Sequence, residues 1–148
     1  MSAHKYVPWR NVRGWTCIRC GLCCMRYLVS ITLGEAMYYQ VKYGPVVFRK
    51  DDKYYLLMKP DGSCIFLRKY NGIAYCAIYN ERPIVCRLYP FYISKKPLPL
   101  RDEKNAVYHY NGVEIYVYID AVCPGINRGL NIKYAVDNAV KMWFRYQL

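Results

Sequence analysis

The stretch Trp15-Thr-Cys-Ile-Arg-Cys-Gly-Leu-Cys-Cys24 is the most informative part of this sequence. Its four sulfurs are those of Cys17, Cys20, Cys23 and Cys24. C-x-x-C spacing lets two thiolates converge on one metal, because the intervening turn brings both side chains to the same side. Glycine after Cys20 favours such a turn, since it adopts a left-handed backbone at little cost. Thiolates this close repel one another, and a cation or a disulfide relieves that repulsion.

Four more cysteines follow along the chain, at Cys64, Cys76, Cys86 and Cys123. An even total of eight would permit disulfides, which are rare in the cytosol except in hyperthermophiles. Two neighbouring cysteines at 23–24 and the crowding of four sulfurs into one loop favour a metal instead. Metal is therefore the prediction, and some disulfides stay an open alternative.

Length and composition predict one domain over residues 1–148, in which residues 1–14 form a basic N-terminal arm. The sequence is 55% hydrophobic and 17% aromatic, which excludes a disordered chain. Because no apolar run is long and uncharged enough to span a bilayer, we expect no membrane association. The arm also lacks the apolar run of a signal peptide, so the expected location is the cytoplasm.

The charge is strongly positive. Lysine and arginine total 22 against 10 acidic residues, a formal net charge of +12. Such an excess is typical of proteins that bind a polyanionic partner, either a nucleic acid or an acidic protein face. An anionic metal–thiolate cluster would offset part of the same charge, and a basic solvated surface would explain the rest.

Local patterns predict an α+β fold with short antiparallel hairpins, a few helices and a cysteine-rich metal-binding core. Residues 26–31 favour a strand, and Thr32 with Glu35 predicts a capping box that opens a helix ending at Gly44. We expect Leu33, Ala36, Met37 and Val41 of this helix to pack in the core. Hairpins are predicted around residues 51–52, 71–72 and 111–112. The second of these is expected to carry Cys64 and Cys76 on its two arms.

Two more helices complete the predicted order of elements. Asn80 is expected to cap a short helix that contains Cys86 and ends at Pro90. A tight turn is predicted at residues 123–126. Asn131 then caps the last helix, whose apolar stripe is expected to consist of Ile132, Ala135, Val136, Ala139, Val140 and Trp143.

The order of the cysteines resembles that of a known family. Its elements are Cys17-x-x-Cys20-Gly-x-Cys23-Cys24, then Cys64-Ile-Phe-Leu, then the segment from Cys76 to Cys86 with Glu-Arg-Pro between them, then Cys123-Pro-Gly. This pattern is similar to the YkgJ-type cysteine-cluster family, a zinc- or iron-chelating domain with the motif CxxCxxCC. The resemblance runs from about Trp15 to Ile126 and includes all eight cysteines, which it therefore implies are metal ligands.

Zinc and an iron–sulfur cluster are both consistent with four-thiolate ligation. The adjacent pair at 23–24 suits a polynuclear centre of the [4Fe–4S] type better than one tetrahedral ion. Flagellin lysine N-methylase is distantly similar through the same cysteine pattern, which implies iron–sulfur-dependent lysine methylation as one alternative function. A zinc-stapled basic module that binds nucleic acid is the other. No catalytic residue is assigned.

Two arginines, Arg82 and Arg87, lie on either side of Cys86 in the sequence. One interpretation is that they neutralise thiolate charge or bind an anion beside the cofactor. The other is a role in helix capping and in ion pairs with Glu81.

Overall fold

The protein was analysed as a computed structural model that describes residues 5–146, with Arg26 described by its backbone alone. Within that range the helices are α1 (Leu22–Arg26), α2 (Leu33–Tyr43), α3 (Ile84–Leu88) and α4 (Ile132–Tyr146). The strands are β1 (Tyr6–Pro8), β2 (Gly14–Trp15), β3 (Ser30–Ile31), β4 (Val47–Lys50), β5 (Lys53–Leu56), β6 (Leu67–Tyr70), β7 (Ile73–Cys76), β8 (Phe91–Ser94), β9 (Val107–Tyr110), β10 (Val113–Asp120) and β11 (Ile126–Asn131). All strand pairs are antiparallel, which confirms the α+β class.

The chain divides into two units, one formed by residues 19–87 and the other by residues 5–18 with 88–146. One domain over 1–148 with an arm at 1–14 stays a prediction, and residues 1–4 of that arm lie outside the described range. Residues 6–15 form β1, a 3₁₀ turn and β2 in the second unit. None of the helices within residues 5–146 has the length and apolar character needed to cross a bilayer.

The first unit is built from the sheet β3-β5-β4, the hairpin β6-β7 and helices α1 and α2. Its buried core consists of Val29, Ile31, Ala36, Tyr39, Leu56, Cys64, Phe66 and Ile78. Three further cysteines, Cys24, Cys76 and Cys86, are partly buried against this core. The core of this unit and its sulfur atoms are therefore packed together.

The three predicted hairpins are confirmed. β4 pairs with β5, β6 with β7, and β9 with β10. Their turn residues have positive φ angles, as two-residue hairpin turns require, and Asn-Gly supplies two of the three turns. Turn chemistry is local, which is why the sequence is sufficient to place these hairpins.

Helix α2 begins with the predicted capping box, in which Glu35 N–H donates to Thr32 Oγ1 and Thr32 N–H to Glu35 Oε1. The predicted core face is wrong at three of four positions. Leu33, Met37 and Val41 are exposed by 56%, 59% and 90%. The helix instead buries Ala36 and Tyr39, and the Tyr39 and Tyr43 rings pack against that of Phe66. The tyrosine rings on one face of α2 are therefore packed in the core, and the aliphatic face that the sequence pattern predicted to be buried is exposed.

One predicted strand is shorter than expected and another is displaced along the chain. Residues 26–31 were predicted as one strand, but Arg26 ends α1 and only Ser30 and Ile31 pair, with β5. Cys64 was expected on an arm of the 71–72 hairpin, yet β6 begins at Leu67 and Cys64 forms an isolated bridge with Met58. Helix α1 extends to Arg26, which removes that residue from the predicted strand.

The second unit has β10 at its centre, with β1 and β8 as neighbours and β9 paired to its first half. Helix α4 follows Asn131, whose Oδ1 accepts from Lys133 N–H at 2.8 Å, as the predicted cap requires. The predicted stripe of α4 is confirmed, since Ile132, Val136, Ala139, Val140 and Trp143 are buried and Ala135 packs beside them. Strand β11 pairs with β2, close to the first cysteines.

Candidate metal centre

The loop before α1 positions the adjacent pair Cys23 and Cys24. Gly21 has φ +79°, the left-handed conformation that its sequence context predicts, and its carbonyl accepts from the N–H groups of Cys24 and Met25. A Cβ on Gly21 would also lie 2.8 Å from Ala74 Cβ. Glycine therefore allows both the turn and the close approach of the β6-β7 hairpin.

Two backbone hydrogen bonds join distant cysteine segments in the first unit. Cys64 N–H donates to the Cys24 carbonyl at 2.7 Å, and Ala74 N–H donates to the Arg19 carbonyl at 3.1 Å. Cys76 lies at the end of β7, opposite Leu67 rather than opposite Cys64. The segments of Cys24, Cys64 and Cys76 are thus held together by main-chain contacts.

Cys86 is placed by α3, which begins just after Pro83. Its N–H donates to the Pro83 carbonyl at 3.0 Å. The predicted cap at Asn80 is wrong, because Asn80 lies in a preceding 3₁₀ turn over Tyr79–Glu81. Glu35 caps the start of α3 instead, since its Oε2 accepts a hydrogen bond from Ile84 N–H at 2.9 Å. One carboxylate therefore serves the first turns of both α2 and α3.

Five thiols of the first unit, those of Cys23, Cys24, Cys64, Cys76 and Cys86, interact electrostatically with one another. The hydrogen bond between the Cys23 and Cys24 thiols lowers the pKa of Cys23 to about 7 and raises that of Cys24. Burial raises the pKa of Cys64, Cys76 and Cys86. We call these five side chains the thiol group. Within it, Cys23 carries the thiol that ionises most easily.

The two arginines that flank Cys86 in the sequence make backbone contacts. Arg82 Nε donates to the Tyr79 carbonyl, and its guanidinium lies 4.1 Å from the centre of the Tyr79 ring. Arg87 donates to the carbonyls of Arg82 and Asn80. The positive charge of Arg82 also acts to lower the pKa of Cys23, Cys76 and Cys86. Arg82 is therefore electrostatically coupled to the thiol group.

The sequence does not reveal the partners of Glu81. Its carboxylate accepts from Lys42 Nζ and from the hydroxyls of Tyr43 and Tyr38, all on α2. The bonds from Lys42 and Tyr43 hold the pKa of Glu81 down to about 2. Tyr39 OH donates to the Glu81 carbonyl at 2.6 Å. Because these residues are about forty positions apart, no local pattern could have joined them.

The second unit contains Cys17 and Cys123. The buried Cys123 Sγ accepts from the Trp15 indole N–H at 3.3 Å. Thr16 N–H donates to the Gly125 carbonyl, and a Cβ on Gly125 would be 2.0 Å from Thr16 O. The predicted turn at 123–126 is confirmed by the Ile126 N–H bond to the Cys123 carbonyl. These contacts bring the chain segments of Cys17 and Cys123 side by side.

All eight cysteines are free thiols in the structure, with Cys17 and Cys20 exposed. Over residues 5–146, no three or more His, Cys, Asp or Glu side chains are arranged to hold a metal ion. The cysteine-rich metal-binding core accordingly stays a prediction. The chemistry of the thiol group does fit such a centre, since thiolates are the donors that zinc and iron–sulfur clusters select.

The α+β fold and the many cysteine thiols are typical of one class of protein, the small metal-binding proteins that are rich in cysteine. The chain belongs to the CxxCxxCC family, described as "Putative zinc- or iron-chelating domain", whose model matches residues 16–124. This match confirms the resemblance drawn from the cysteine pattern and agrees with zinc or iron as the metal. Searches of curated proteins and of solved structures gave no match.

Proposed function

We propose that the chain binds an iron–sulfur cluster of the [4Fe–4S] type through its cysteines, with zinc as the alternative. The observation that supports this most directly is the thiol group, in which five sulfurs from four chain segments interact electrostatically. Thiols within electrostatic range of one another repel once they are ionised, unless a cation lies between them. A metal centre relieves that repulsion and ties the four segments together.

The adjacent pair Cys23 and Cys24 is the reason to favour a cluster over a single zinc ion. Zinc and a [4Fe–4S] cluster each take four thiolates, but two neighbouring thiolates suit a polynuclear centre better than one tetrahedral ion. When bound, such a cluster would supply electron transfer or radical chemistry.

The other three cysteines are proposed as further ligands. Cys17 and Cys20 are exposed in the structure, so their thiols are accessible to an incoming metal. Cys123 already accepts a hydrogen bond from Trp15, and donors of this kind tune thiolate ligands. The experiment below measures how much of the bound metal depends on Cys17 and on Cys123.

Arg82 and Arg87 are proposed to act beside the ligands. The electrostatic effect of Arg82 on Cys23, Cys76 and Cys86 supports a role in neutralising thiolate charge. Arg87 would hold Arg82 in place through the Arg82 carbonyl. A cytoplasmic location is part of the same proposal, since free thiols persist in a reducing compartment.

Two partner functions are proposed alongside metal binding. The charge of +12 supports a nucleic-acid or acidic protein partner. A part in lysine methylation rests on resemblance, and it predicts that the chain binds S-adenosylmethionine. A flat calorimetric titration with that compound would rule methylation out.

The test is anaerobic purification followed by an absorption spectrum and elemental analysis. We expect iron and sulfide, together with the visible absorption of an iron–sulfur centre. Cys23→Ser and Cys86→Ser should each lower metal content strongly. Cys17→Ser and Cys123→Ser, measured in parallel, show whether cysteines of the second unit are also ligands: a lower metal content supports this, and an unchanged metal content removes these two residues from the proposal. A wild-type chain that carries neither iron nor zinc contradicts the proposal.

A further inference from the structure

One face of the β6-β7 hairpin is exposed and aromatic. Arg68 pairs with Tyr75 and Tyr70 with Ile73, and residues directly opposite in an antiparallel pair share a face. Tyr70, Ile73 and Tyr75 are exposed by 72%, 53% and 48%, and Arg68 is exposed beside them. We call these four residues the hairpin face. An isolated soluble hairpin rarely presents so much apolar surface without a ligand.

The opposite side of the hairpin is anchored. Leu67 and Ala74 are buried, and Ala74 is bonded to Arg19 and lies against Gly21 in the cysteine loop. Arg68 Nη1 donates to the carbonyls of Ile65 and Leu67 at 2.8 and 3.0 Å, so its guanidinium is held in place with other donors remaining. The hairpin face is therefore supported from behind by buried residues, and its Arg68 is held by two backbone hydrogen bonds.

Charge identifies the kind of ligand. No acidic residue occurs from Gly62 to Asn80, while Arg68 and Lys69 lie within the hairpin. A second copy of this chain would bring another charge of +12 to the face, which opposes self-association. A polyanion that also carries flat apolar groups could both pair with the positive charge and stack on the tyrosine rings.

We propose that the hairpin face binds single-stranded nucleic acid, with the Tyr70 and Tyr75 rings stacking on bases and Arg68 contacting phosphate. Diagonal positions on paired strands lie about 7–8 Å apart, which leaves room for successive unstacked bases. Stacking of this kind tolerates any base sequence, and neighbouring cations follow the backbone. This assigns a surface to the nucleic-acid partner suggested by charge, and it does not depend on which metal the cysteines hold.

The test is fluorescence anisotropy of a labelled oligouridine of about twelve nucleotides, titrated with the purified full chain at several salt concentrations. The double variant Tyr70→Ala/Tyr75→Ala should weaken binding by about tenfold or more. Tyr70→Phe/Tyr75→Phe should bind like wild type, because stacking needs the ring and not the hydroxyl. The matched control is Tyr134→Ala on α4, a tyrosine exposed by 68%, which should also bind like wild type. Arg68→Gln should reduce the slope of log Kd against log salt by roughly 0.7, the loss of one phosphate contact.

Metal content measured on the same samples keeps this test separate from the proposed metal site. The inference is overturned if the alanine double variant binds as tightly as Tyr134→Ala, or if wild type does not bind. It is equally overturned if sedimentation shows a wild-type dimer that the double variant abolishes, because the face would then be an interface between two copies. A chain without metal that still shows the expected ranking of variants would contradict the metal proposal alone.

Discussion

At the scale of single residues, acidic side chains do more than the sequence indicates. Glu81 accepts three side-chain bonds from α2, and Glu35 joins the starts of two helices. Both residues bind α2 to the segment that leads into Cys86. Their effect on the candidate centre is therefore structural, and it can be measured through stability.

Glu81 predicts a pH dependence of stability. Its pKa falls from about 4.3 when unfolded to about 2 when folded, because Lys42 and Tyr43 bond the carboxylate. A lowered folded pKa contributes stability that is present above pH 4–5 and is lost as the pH falls toward 2. We expect urea unfolding to show this loss in wild type and to show less of it in Glu81→Gln.

The control for this comparison is Glu114→Gln, since the Glu114 side chain is 53% exposed and pairs with His109 alone in the salt bridges described. It should follow the wild-type pH profile. Identical profiles for Glu81→Gln and wild type between pH 5 and pH 2 would refute the role given to Lys42 and Tyr43.

At the scale of elements, local and long-range signals separate clearly. Asn-Gly turns, the Thr32 box and the α4 stripe were predictable, because each depends on residues a few positions apart. The buried face of α2 was not predictable, because it depends on packing against the distant Phe66. The cap of α3 was not predictable either, because it is supplied by the distant Glu35. The same holds for the thiol group: the sequence contains its cysteines but could not show which of them interact electrostatically.

Because Glu35 accepts bonds at the starts of both α2 and α3, the two residues of the capping box should contribute unequally to the free energy of unfolding. Thr32→Ala removes one acceptor at the start of α2 and should lower the free energy of unfolding by about 1 kcal/mol. Glu35→Ala removes the other half of the box and also leaves Ile84 N–H without its acceptor, so it should cost roughly 2 kcal/mol. Chemical denaturation measures both. Equal costs would mean that the bond to Ile84 contributes nothing.

Two glycines predict opposite results for the same substitution. Gly125→Ala would place a Cβ 2.0 Å from Thr16 O, so the loops of Cys17 and Cys123 must separate, at a cost of about 2–3 kcal/mol. Gly34→Ala lies in α2 with its nearest neighbour 4.0 Å away, and it should stabilise the helix by up to about 1 kcal/mol. Thermal melts of both variants check the sign. A neutral Gly125→Ala would contradict the close approach of these loops.

At the scale of the whole molecule, each unit has its own core, and the thiol group belongs to the first. The sequence predicted the α+β class, but it gave no sign of this division. Contacts between residues far apart in sequence set the division, and no single pattern records them. Because the thiol group lies in the first unit, we expect metal binding to stabilise the fold of that unit.

Metal removal is therefore expected to act unevenly along the chain. Treatment with a chelator under anaerobic conditions should lower protection from hydrogen exchange in residues 22–26 and 64–77, because metal-binding energy is also folding energy there. Protection in β10 and α4 should fall less, since their buried core has no thiol from the thiol group. Mass spectrometry of exchanged peptides measures both regions. A uniform change, or none, would contradict the link between the thiol group and folding.

We propose that sulfurs from distant parts of the sequence bind one inorganic centre. X-ray absorption at the iron and zinc edges of the chain as purified shows which atoms surround the metal. We expect a first shell of sulfur at about 2.3 Å, together with short iron–iron distances if the centre is a cluster. A first shell of nitrogen and oxygen, or a chain that carries neither metal, would contradict it.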